Sequence, residues 1–124
     1  MLRVVWIGML LGVLSGAVIG LFFHREDWMG GYDSFRRRLT RLGHISFFGL
    51  GFVNFLFAGT VFIIAPAGQV QLAWIAAFAF TVAAAAMPTC CFLSAWRKSF
   101  RHLFPIPVIG ALIGICLTLY FVFA

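Results

Sequence analysis

The sequence predicts an all-α integral membrane protein, a compact bundle of four transmembrane helices joined by short loops. Three observations carry that expectation. Of the 124 residues, 64% are hydrophobic and 10% charged, whereas about a quarter of a soluble domain is charged. The apolar residues gather in four runs, about 2–23, 45–64, 72–94 and 105–123, each near the roughly 20 residues that a helix needs to cross a bilayer. Eight of the nine Lys and Arg residues fall in the stretches 24–44 and 95–104, and Arg3 alone lies at the other end. Basic residues beside a span are retained in the cytoplasm, so both stretches read as basic cytoplasmic loops and both termini as non-cytoplasmic. The chain is therefore expected to be one domain, 1–124, crossing a bacterial inner (plasma) membrane four times.

The first run continues past a secretory h-region, which is about 7 to 15 residues long, and reads as a true span. Within it Gly8, Gly12, Gly16 and Gly20 recur every fourth residue. On a helix that spacing makes one bare stripe where a neighbouring backbone can approach. The polar segment from His24 to Asp33 holds all three acidic residues, and Gly30-Gly31 interrupts it. Asp33 or Ser34 is placed to cap a new helix, on which Arg36, Arg37 and Arg41 lie away from the Phe35, Leu39 and Leu42 face. If that helix joins the run 45–64 without a break, it is near 45 Å long at about 1.5 Å per residue.

The uncharged segment from Ala65 to Gln71 suits a tight hairpin on the side opposite the arginines. The third run is rich in alanine and contains Pro88, where a backbone hydrogen bond is lost and a kink is expected. Pro105 and Pro107 suit the first turn of the last span, which carries the close-packing pair Gly110 and Gly114.

Three histidines fall at one depth, His24, His44 and His102. Neutral imidazoles converging from different spans can hold haem b, and Gly51, seven residues after His44, leaves room for a flat group between Phe48 and Phe55. Arg41 with His44, Tyr32 and Asp33 offers donors and a proton carrier to a quinone head. The plainer reading is that interfacial His rests at the headgroup level with its polar edge wet. The cysteines Cys90, Cys91 and Cys116 have no ligand spacing and read as buried packing rather than metal ligands. No acidic or basic residue falls within the core of any apolar run, Arg3 lying at the very start of the first, which argues against an ion or proton pathway. Asn54, the strongly polar side chain nearest mid-membrane, reads as a helix-to-helix hydrogen bond worth about 0.6 to 2 kcal/mol.

Length and four spans resemble small multidrug exporters and small fluoride channels in outline. The exporters' membrane carboxylate has no counterpart here, and the channels' balanced charge contrasts with the eight-to-one bias, so no residue carries over. The expected function is a non-enzymatic accessory or scaffold subunit of a bacterial inner-membrane complex, a respiratory complex among the candidates. The alternative is a haem or quinone-binding electron-transfer subunit built on His24, His44, His102 and Arg41, and a small channel or transporter is a lesser one. Expected partners are the lipid bilayer and either other membrane subunits or further copies of the chain. The basic excess is accounted for by topology and anionic headgroups rather than nucleic acid.

Overall fold

Each of the four apolar runs folds as one helix long and apolar enough to cross a membrane. The computed structural model describes residues 1–64 and 68–123: α1 is Leu2–Phe22, α2 Phe35–Ile64, α3 Val70–Trp96 and α4 Pro105–Phe123. Short 3-10 segments, Trp28–Gly30 and Lys98–Leu103, make the connections at the basic end. Of the expected hairpin at 65–71, residues 65–67 lie outside the described residues, and Gly68 turns the chain with a positive φ of 84°. The stretch 24–44 is a loop only as far as Ser34; from Phe35 it is the first part of α2, whose 30 residues run unbroken through Ile64. The helix α3 likewise continues through the buried Pro88 to Trp96.

The start of α2 shows why a helix begins where it does. Three successive residues, Met29, Gly30 and Gly31, take positive φ values of 56°, 88° and 98° and reverse the chain. Two of the three being glycine makes that path accessible. Ser34 then caps the helix: its hydroxyl accepts from the Arg37 N–H at 3.2 Å and donates to the Met29 carbonyl at 2.8 Å. Of the two candidate caps, Ser34 is the one used.

Each helix packs chiefly on the next in sequence, and α2 meets α4 at few positions. The helix α3 is the most enclosed of the four, since its alanines let both neighbours come close. The core cluster of Phe57, Ala76, Phe80 and Phe121 sits in the half nearer the termini. Met1 packs against that cluster, and its sulfur lies 3.8 Å from the Thr81 hydroxyl. There α1 leans toward α3. At the basic end the two are separated by a groove of about 430 Å³ whose floor is α2. The remaining large apolar side chains, among them Trp6, Phe62, Phe78 and Phe123, point outward, as lipid-facing residues do.

Candidate functional site at the basic end

The densest polar structure is built around Arg37. A guanidinium buried without a carboxylate has a large desolvation cost that its surroundings must offset. Arg37 is fully enclosed, at 0% exposure. It donates through Nη1 to the Arg25 carbonyl at 3.2 Å and through Nη2 to the Phe23 carbonyl. Both carbonyls lie just past the end of α1, where backbone acceptors have no helical partner and the helix dipole is negative. Three aromatic rings enclose the same group, with Tyr32, Phe23 and Trp28 centroids 3.9, 4.8 and 5.4 Å from Cζ. Desolvated cation–π contacts contribute about 2 kcal/mol or more each. The Tyr32 hydroxyl also donates to the Phe23 carbonyl, at 3.2 Å. Among the described residues, Nε of Arg37 has no acceptor.

Its neighbour Arg36 turns the other way and donates through Nε to the Ala95 carbonyl at 3.0 Å, in the last turn of α3. Consecutive arginines at the start of α2 thus engage the ends of the two helices that flank it. Outside this pair, Arg25 and Asp27 form an exposed ion pair at 3.2 Å, and Arg25 holds the Asp27 carboxyl below the usual carboxylate range. The Lys98 ammonium stands 5.6 Å over the Phe35 ring, beside Arg36 in α2.

The histidines occupy three different settings. His24 and His102 are exposed, one just beyond α1 and one in the 3-10 segment before α4, whereas His44 lies between α1 and α2. The Ser15 hydroxyl donates to the Gly12 carbonyl at 3.0 Å and sits 3.1 Å from His44 Nδ1. The ring edge of His44 lies on bare Gly16, where a Cβ would come within 2.5 Å of Cε1. Phe48 meets His44 edge-on with centroids 5.4 Å apart, and it fills the space over Gly12 in the same way. The space beside Gly51 is taken by Met9, whose terminal carbon would touch an added Cβ at 3.4 Å.

Among the described residues, no three His, Cys, Asp or Glu side chains gather closely enough to hold a metal ion. Arg41 is half-buried and makes no side-chain hydrogen bond among those residues, Asp33 is exposed, and Tyr32 is part of the Arg37 enclosure.

The other packing residues divide by depth. A Cβ on Gly8 would come within 3.7 Å of the Phe47 carbonyl, while one on Gly20 would meet nothing within 4 Å. Between α3 and α4 the Ala79 carbonyl would meet a Cβ on Gly110 at 3.0 Å, and the Phe80 ring would meet one on Gly114 at 2.6 Å. Asn54, fully buried, donates to the Leu50 carbonyl at 2.8 Å and across to the Phe80 carbonyl at 3.3 Å, leaving its own Oδ1 without a partner among the described residues. Phe80 therefore joins three helices: its carbonyl serves α2, its ring rests on α4, and it packs on Phe57 with centroids 5.2 Å apart. Gly43 is a further close approach: a Cβ there would come within 3.1 Å of Cys91 and Phe92 of α3.

The chain matches no protein-family model, and no curated protein or solved structure is significantly similar to it.

Proposed function

We propose that this protein is a non-enzymatic scaffold of the bacterial inner membrane, an accessory subunit around which other membrane helices assemble, with its basic end in the cytoplasm. The observation that carries the reading is where the buried polar side chains go. Arg37 is spent on the end of α1 and Asn54 on the backbone of α3, while Thr40 and Ser46 bond carbonyls of their own helix. Half-buried His44 is tied to Ser15 of α1. Most of the polar inventory inside the bundle is thus engaged in joining or bracing helices, as in a rigid support, although the buried Ser94 hydroxyl has no partner among the described residues. Its outer face, with Phe52, Leu56, Phe62 and Ile63 on α2 alone, is free to meet other spans.

Photo-crosslinking in native membranes tests this. Crosslinkers at Phe52 and Phe62 should trap one defined membrane subunit or a second copy of the chain, at the same stoichiometry in repeated preparations. Crosslinks to lipid alone at both positions, with a monomer of 13.8 kDa in mild detergent, would overturn the scaffold reading.

A further inference from the structure

The groove between α1 and α3 is lined by apolar side chains with Ser15 and Thr40, and Arg36 lies one helical turn beyond Thr40 at its basic end. Leu14, Ser15 and Val18 of α1 form one wall and Phe92 of α3 the other, with Thr40 and Phe47 of α2 beneath. From Leu11 to Ile19 the wall follows α1 for roughly 12 Å at about 1.5 Å per residue. Its volume of about 430 Å³ lies within the about 300 to 1,000 Å³ usual for small-molecule sites. Trp28 and Met29 close it at the basic end. Arg36, reaching from the floor helix to the end of α3, stands at that same end.

The charge there is uncompensated. Arg36 uses only Nε on the Ala95 carbonyl, so its two terminal NH2 groups make no hydrogen bond among the described residues. The described residues contain one ion pair, Arg25 with Asp27, and it engages neither Arg36 nor Lys98. An arginine whose terminal nitrogens are free offers paired donors to a phosphate oxygen. An apolar trough open to the bilayer, headed by such a group, fits a lipid whose chain is apolar and whose head carries net negative charge.

We propose that this groove is a binding site for an anionic phospholipid, with one acyl chain lying along Leu14, Val18 and Phe47 and the phosphate held by Arg36 and Lys98. The proposal goes beyond the scaffold reading and does not depend on it. Trp28 at the closed end takes the interfacial position that tryptophan favours, beside the glycerol backbone of such a lipid. A zwitterionic lipid of the same chains fills the groove equally well but brings no net charge to the cations.

Native mass spectrometry of the full chain in mild detergent, with phosphatidylglycerol or phosphatidylcholine added, is the test. Phosphatidylglycerol should give a one-to-one adduct about tenfold tighter than phosphatidylcholine. Lys98→Gln and Arg36→Gln should each weaken it several-fold, and Lys98→Gln does so without touching the helix-end contact. Val18→Trp, which changes no charge and starts from an exposed side chain, should remove the adduct by filling the groove; Leu14→Phe should weaken it in the same direction. Equal binding of the two lipids, or phosphatidylglycerol binding untouched by both groove variants, would overturn the proposal. So would a Val18→Trp protein that keeps its lipid but loses a larger assembly, since the groove would then hold a helix of a partner or a second copy.

Discussion

Arg36 and Arg37 are adjacent in sequence and engage opposite neighbours: Arg36 donates to Ala95 at the end of α3, and Arg37 to Phe23 and Arg25 at the end of α1. Residues one apart on a helix project about 100° from each other, so a pair on the central helix can reach both flanking helices. Those helices run antiparallel to α2 and present their carbonyl ends beside its start. The positive groups offset the negative dipole ends of both helices and add donors to their terminal carbonyls. A basic run of the kind that orients a span is thereby also a fastener.

Glycine substitutions should sort by depth along α1 and α4. Gly16→Ala would force His44 aside and Gly114→Ala would force Phe80 aside, each destabilising by about 1 to 3 kcal/mol. Gly20→Ala, with open space around it, should be neutral or slightly stabilising through helix propensity. Thermal unfolding in detergent measures the three; an equal loss at Gly20 and Gly16 would mean that α1 docks elsewhere.

Ser34→Ala should cost about 1 kcal/mol, the usual value of an N-cap, and Asp33→Ala almost nothing. Hydrogen exchange at the first turn of α2 reads the difference residue by residue. Faster exchange in the Asp33 variant than in the Ser34 variant would reassign the cap.

Much of the fold was legible in the sequence because a membrane leaves few options. Four apolar runs of span length must each satisfy their backbone internally, and helices do so. A missing side chain at four-residue spacing pointed to contacts, and Gly12, Gly16, Gly110 and Gly114 make them, whereas Gly20 at the same spacing faces open space, so the expected stripe runs one turn too far. The partners of these glycines were not readable: that His44 fills Gly16 and Phe80 fills Gly114 depends on how the helices rotate, which spacing along one helix does not encode. Arg37 shows the same limit more sharply. An arginine in a basic run beside a span looks like every other, and its burial follows from the Met29–Gly31 reversal folding Trp28 and Tyr32 over it. Gly43, a close approach to Cys91 and Phe92, escaped notice because it belongs to no glycine repeat.

Asn54→Leu should change stability by less than about 1 kcal/mol. The variant loses a bond across to Phe80, worth about 0.6 kcal/mol on average in membrane helices. It also removes a buried Oδ1 that has no partner among the described residues, and an unsatisfied buried group is costly. Unfolding of the variant in detergent checks the balance; a loss of 3 kcal/mol or more would mean that Oδ1 is engaged in the membrane.

His44→Ala should act through packing. The α1 to α2 contact at Ser15 and Gly16 loses its filling, so the stability loss should approach the about 2 to 5 kcal/mol of large-to-small core changes. Combining it with Gly16→Ala should be strongly non-additive, because the added methyl occupies part of the vacated space. A double-mutant cycle with additive losses would remove the pairing.

The most direct test of the central claim compares Arg37→Gln with Arg38→Gln. Both remove one positive charge from the same turn of α2, so topology and surface charge change alike, but Arg37 is enclosed while Arg38 is exposed. Equilibrium unfolding in detergent should show a loss of about 3 kcal/mol or more for Arg37→Gln, from two charged hydrogen bonds and the aromatic contacts. Arg38→Gln should stay within about 0.5 kcal/mol, the range of ordinary surface changes. Equal effects of the two substitutions would contradict the account and return Arg37 to the role of a surface charge.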